Sequence, residues 1–232
     1  PSQFPIDPPP ALDSAAYAAA YQEVKDYGGD GISTPTLRTP EQTEIGLFWG
    51  YDGTPGIGTP PRFYNQITQT IARQEGNTEV ENARLFALVN LAIADAGITC
   101  WGVKYDYDFW RPIRGIRQQD PQGHSLDDGN SATVADPNRT PLGSPYTNGD
   151  PDDGNFTPNF PSYTSGHATF GAAFFEVLKR FYDTDHLTFT ITSDELNGVS
   201  RNADGTVRPL SPRTFTSFSQ AAEENGQSRI YL

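Results

Sequence analysis

Lys104, Arg111 and Arg229 supply three cations, and Ser165, Gly166 and His167 add a hydroxyl, a glycine amide and an imidazole. They fall in three ordered clusters: Lys104-x6-Arg111-Pro112, Pro161-Ser-Tyr-Thr-Ser165-Gly166-His167, and Ser228-Arg229. A tetrahedral oxyanion needs such a set. Fixed cations neutralise its oxygens, and the unpaired amides and positive dipole end at a helix start favour an anion. Glycine lets a ligand approach the backbone, and histidine moves a proton near neutral pH. Each cluster also has an ordinary structural explanation. A cation near a helix C-terminus is favoured by the dipole, and a serine cap followed by a buried histidine is common. It is the combination, in this order, that points to chemistry.

The elements that must position these groups read mostly as helices. Asp13 or Ser14 can cap a first helix that runs to Tyr27 and stops at Gly28-Gly29. Glu41 to Tyr51 carries Ile45, Phe48 and Trp49 at core spacing, and Pro61 to Gln74 opens with a proline suited to a first turn. Thr78-x-x-Glu81 is a capping box. The helix after it is apolar nearly all round, as expected at the centre of a bundle, and is expected to reach Trp110, just before Arg111-Pro112. On that reading Lys104 and Arg111, seven apart, project from nearly one side of one helix.

Ile116 to Pro161 has no sustained period and reads as a surface excursion. A helix then starts at Thr164 or Ser165 with the stripe Phe170, Phe174, Val177, Leu178, Phe181, and His167 shares its inward face. Asp204-Gly205 signals a turn, and Thr214 to Leu232 places Phe218, Ala221, Ala222, Asn225 and Arg229 near one helical face. The architecture inferred is an all-α bundle, with residues 1–39 an N-terminal helix and linker and residues 40–232 the catalytic bundle.

Composition bounds the partners. A formal charge of −13 over 232 residues repels phosphates at long range and argues against nucleic acid and anionic membranes. The longest apolar run, Leu85 to Ile98, is interrupted by Asn90 and Asp95 and is too short to span a bilayer. An anion site must therefore be built locally. The lone Cys100 excludes an internal disulfide and reads as a small core residue. The Asp150-to-Asn155 run looks superficially like a calcium loop but lacks the EF-hand spacing. Asp52 reads as a helix-end turn residue that could also orient Arg229, and His124 and His186 as surface residues.

These clusters resemble the three motifs of the superfamily of vanadium-dependent haloperoxidases and type 2 phosphatidic acid phosphatases. Similarity to the vanadium chloroperoxidase branch extends to Phe109-Trp110-Arg111-Pro112, Ala168-Thr-Phe-Gly and Glu195-Leu-Asn-Gly-Val-Ser-Arg, and covers roughly Glu41 to Leu232. The resemblance implies a vanadate cofactor. Lys104, Arg111 and Arg229 would neutralise its equatorial oxygens, Ser165 and the Gly166 amide would donate to them, and His167 would be the acid–base group. Lys104 would also polarise peroxide. The implied reaction is oxidation of chloride or bromide by hydrogen peroxide to hypohalous acid. Trp101 and Phe160 match aromatic pocket positions of chloroperoxidase-like members, which tilts the halide toward chloride.

In the family the Ser-Arg motif continues to a histidine that binds vanadium directly. This sequence stops at Leu232, before such a residue, so the expectation is a segment inactive alone whose remainder follows in the intact protein. Two other readings stand beside haloperoxidase: an acid phosphatase using the same cradle for phosphate, and a non-catalytic relative with a binding or structural role. The sequence leaves the oligomeric state open, a homo-oligomer included, and the acidic, lysine-poor composition leans toward a secreted or periplasmic setting.

Overall fold

The computed structural model describes residues 5–52, 57–143, 157–201 and 206–232. In chain order these form α1 (Ala15–Tyr27), α2 (Pro40–Phe48), α3 (Pro60–Gln74), α4 (Glu79–Tyr107), α5 (Pro112–Arg117), α6 (Gly166–Tyr182), β1 (Phe189–Ile191), β2 (Arg213–Phe215) and α7 (Phe218–Tyr231). One turn of 3-10 helix, Asp194–Leu196, lies between the strands. The asparagine- and aspartate-rich run 150–155 and the Asp204-Gly205 turn fall outside the described residues.

Local chemistry sets the helix starts. Ser14, Thr39, Thr78, Ser165 and Ser217 each accept a backbone N–H at the head of a helix, and Thr39 and Thr78 complete capping boxes with Gln42 and Glu81. α6 packs along both α4 and α7, and α2 closes on α7. The core between them is aromatic. Phe48, Trp49 and Phe63 meet edge to face with centroids 5.4 Å apart, and Tyr64 stacks on Phe174 at 4.9 Å. Each such ring contributes about 1.5–3 kcal/mol through removal of its surface from water.

Three expectations are corrected. The fold is mostly but not wholly helical: β1 and β2 pair antiparallel, with Phe189 opposite Phe215 and both buried in the main core. The long helix ends at Tyr107, where Asp108 takes a left-handed conformation (φ 45°), so Arg111 does not share a helix with Lys104 but caps the short α5. And α4 is not buried all round. Leu85, Val89, Ile93 and Cys100 face inward, whereas Leu91 and Ile98 are more than 60% exposed. By length and composition alone α4 is apolar enough to cross a membrane; in this fold it is the helix on which α6 rests.

The excursion after α5 lacks periodicity because polar groups, not an apolar stripe, hold it. The buried Arg139 donates to the Val24 and Lys25 carbonyls (2.6 and 2.8 Å) at the end of α1, and the Leu142 N–H donates to the Gly28 carbonyl at 2.9 Å. Arg38, also buried, donates to the Gly29 carbonyl at 2.8 Å and to that of Tyr231 at 3.4 Å, tying the α1 terminus to the end of α7. A small second cluster, Tyr17, Tyr21 and Ile116, packs beneath this segment.

The α6–α7 contact sets the steric limit. A Cβ on Gly171 would lie 1.9 Å from the Asn225 side-chain nitrogen, whereas one on Gly226 would meet nothing within 4 Å. Gly171→Ala should therefore destabilise the protein by about 1–3 kcal/mol through overpacking. Gly226→Ala should stabilise it by up to about 1 kcal/mol through helix propensity. Urea unfolding of the two variants checks the contrast.

Candidate active site

Lys104 ends the inward face of α4 and is buried. Its ammonium donates to the carbonyls of Pro161 (2.8 Å) and Ser162 (2.9 Å). It also lies 5.8 Å from the Trp101 ring centroid and 5.2 Å from that of Phe160. The Phe160 segment is in turn lashed to the chain before Arg111: the Ser162 N–H donates to the Phe109 carbonyl at 2.9 Å, and its hydroxyl to the Trp110 carbonyl at 2.7 Å. Arg111 thus also reaches Phe160, 5.6 Å from the ring centroid. Its Nε is buried with no hydrogen-bond partner among the described residues.

The first turn of α6 brings the second cluster. Ser165 caps the helix by accepting from the Ala168 N–H at 3.3 Å, so its hydroxyl hydrogen stays free to donate. Gly166 lies against Trp101, whose ring would be 3.1 Å from a Cβ at that position. His167 Nε2 is 2.6 Å from the Gly50 carbonyl oxygen. An oxygen there can only accept, so Nε2 carries the proton and Nδ1 is left as the acceptor.

From α7, Arg229 donates to Ser228 Oγ at 3.0 Å and to the Gly46 carbonyl at 3.4 Å. One turn earlier the Asn225 amide donates to the His167 carbonyl at 2.9 Å and to the Tyr64 hydroxyl at 3.1 Å, fixing the two helices against each other.

All eight residues singled out in the sequence, Trp101, Lys104, Arg111, Phe160, Ser165, Gly166, His167 and Arg229, line one cavity of about 520 Å³. Asp52 lines it too and favours the charged form of both arginines. Burial lowers the pKa of Lys104 to about 8, against a rise due to Cys100, and Arg111 lowers it further. Burial also disfavours the charged form of Arg111 and of Arg229. His167 is held well below the ordinary imidazole value, first by burial, then by Arg229, against the hydrogen bond to Gly50, with Lys104 and Arg111 adding to the fall. A neutral base beside three cations is a site arranged for an anion and a proton.

Sequence reasoning missed Gly50 and the tie made by Asn225, although Asn225 had been placed on the Arg229 face. Neither had a polar motif around it, because one acts through its carbonyl and the other through helix contact. His124, expected at the surface, is half-buried, and its Nδ1 has no partner among the described residues. His186 is exposed. Neither histidine lines the cavity.

The helical bundle has clear counterparts. The family described as VCPO second helical-bundle domain matches residues 84–232, and the chain belongs to it. The vanadium chloroperoxidase of Curvularia inaequalis is 38% identical over 266 residues, covering 99% of this chain and 42% of that protein. A bacterial vanadium-dependent iodoperoxidase superposes with a TM-score of 0.68 at 29% identity, covering 99% of this chain and 47% of its own. An apo bacterial vanadium-dependent chloroperoxidase shares the fold at a TM-score of 0.61 and 16% identity, over 99% of this chain and 46% of its own. The chain spans less than half the length of these relatives.

The causes of the His167 shift give a signed expectation. In the ligand-free chain at pH 6.5 its imidazole should be neutral, because burial and the cations oppose imidazolium. Filling the cavity with a tetrahedral oxyanion offsets the cations and should move its midpoint upward. NMR titration of the imidazole carbons with and without sulfate checks both statements; a His167 that is already half-charged at pH 6.5 would contradict them.

Proposed function

We propose that this cavity binds vanadate and that the protein is a vanadium-dependent haloperoxidase, oxidising chloride or bromide with hydrogen peroxide. The observation that carries the reading is the convergence of three cations from three helical elements of a strongly acidic chain on one cavity, beside the opening amides of α6. The residues fit the group. Arg111 Nε is a buried donor lacking a partner among the described residues, and Gly166 presents bare backbone to the cavity.

When bound, vanadate would supply a Lewis acid that activates peroxide toward halide without changing its own oxidation state. Lys104, Arg111 and Arg229 would neutralise its oxygens, and the Ser165 hydroxyl and the Gly166 N–H would donate to them. His167 takes and returns a proton at Nδ1, its Nε2 being engaged by Gly50. Trp101 and Phe160 lie beside the Lys104 ammonium and give that part of the cavity an aromatic wall.

The family and the aromatic wall favour halide chemistry over phosphate-ester hydrolysis on the same cradle. In the intact protein, bromide and chloride oxidation by peroxide should depend on added orthovanadate and exceed hydrolysis of p-nitrophenyl phosphate by the same preparation. His167→Ala should lower halide turnover by about 100-fold or more while leaving vanadate bound. Arg111→Ala should weaken vanadate binding by about 10- to 100-fold, the worth of a charged hydrogen bond. Halide turnover indifferent to vanadate would end this reading.

A further inference from the structure

We propose that Glu195 is a positioning residue for His167, acting through the single peptide group that joins Gly50 to Tyr51. The Tyr51 N–H donates to Glu195 Oε1 at 2.9 Å, and the Gly50 carbonyl accepts from His167 Nε2 at 2.6 Å. These two bonds use opposite ends of one planar amide, so a carboxylate and an imidazole are joined in line without touching. A carboxylate accepting the amide N–H polarises the group, which makes its carbonyl oxygen the stronger acceptor. The imidazole is thereby oriented with the proton on Nε2. Nδ1 is then left as the acceptor of a residue that lines the cavity, and it makes no hydrogen bond among the described residues.

The surroundings hold this relay in place. Glu195 is fully buried and paired with Arg208, itself 1% exposed. The Ser193 hydroxyl donates to the Phe48 carbonyl at 2.7 Å, and the Asp194 N–H donates to the Tyr51 hydroxyl at 2.8 Å, so the 3-10 turn grips the turn after α2 at two further points. A Cβ at position 50 would lie 2.9 Å from Glu195 Oε1, which is why glycine stands there. A buried ion pair is seldom the most stable filling for such a space. Its charge is accounted for if it acts on the histidine.

The proposal rests on the acid–base role of His167, but it can be tested separately. Nitrogen-15 NMR of the three histidines reads the tautomer of His167 directly. The native protein should show the proton on Nε2, and a proton on Nδ1 would overturn the relay outright. In Glu195→Gln the amide can still accept from Tyr51 but has lost its charge. The His167 Nε2 proton should move upfield and halide turnover should fall about tenfold, with vanadate affinity held within about twofold. Because Glu195→Gln removes the carboxylate that pairs with Arg208, the neutral pair E195Q/R208M is the control for folding and should show the same shift and loss. A folded neutral-pair variant with native proton shift and native turnover would overturn the proposal. If the native protein oxidises no halide, the acid–base reading falls, while the tautomer and the proton shift still decide the relay.

Discussion

Three positive charges held around one cavity are the constraint on which the rest of the structure depends. Lys104, Arg111 and Arg229 are largely removed from water, and for Lys104 burial, with the nearby Arg111 adding to it, lowers the pKa to about 8. The fold offsets this with neutral acceptors, a ring and one carboxylate. The carbonyls of Pro161, Ser162 and Gly46, the Phe160 ring near both Lys104 and Arg111, and the Asp52 carboxylate at the cavity wall each favour a cation. The long-range field of the acidic chain works in the opposite direction. It keeps extended polyanions away, whereas a small oxyanion meets the cations only once inside.

Holding cations from separate elements against their repulsion requires stiff junctions, and here polar contacts supply them within an aromatic core. α6 brings His167, α7 brings Arg229, and Asn225 bonds the carbonyl of the former from one turn before the latter. The contact is close enough that only glycine fits at position 171. Lys104 and Arg111 are coupled differently, through the Pro161–Ser162 segment, which both receives the lysine and grips residues 109 and 110. Arg111 therefore keeps its place even though the helix that bears Lys104 ends before it.

The sequence was informative where chemistry and local structure coincide. Ser165-Gly166-His167 starts a helix and lines the cavity, so its place could be named, and the capping boxes of α2 and α4 lie where hydroxyl, spacing and acid or amide agree. It was less informative where tertiary contact overrides pattern. The apolar sequence of α4 predicted burial on every side, but only one face is covered by the described residues. The break at Asp108 was hidden because the apolar residues Phe109 and Trp110 continue the run while the backbone has already turned left-handed. Gly50 could not be read from side-chain chemistry at all, since its role belongs to a carbonyl. The tiny β1–β2 pair was equally hidden: three residues per strand are too few for an alternating pattern to stand out.

Burial, with neighbouring cations adding to it, acts on two titrating groups and leaves them in opposite states at neutral pH. Lys104 falls to about 8 and stays mostly protonated, whereas His167 falls below its ordinary value and stays neutral. A protonated amine and a neutral imidazole therefore coexist in one cavity, although both have been shifted in the same direction. The hydrogen bond from His167 to Gly50 opposes the fall in its pKa, and Glu195 lies on the far side of that same peptide. An anion entering the cavity relieves the positive field on both groups at once. Proton affinity at His167 thus rises as the site fills, which ties the readiness of the base to the presence of the group it would serve.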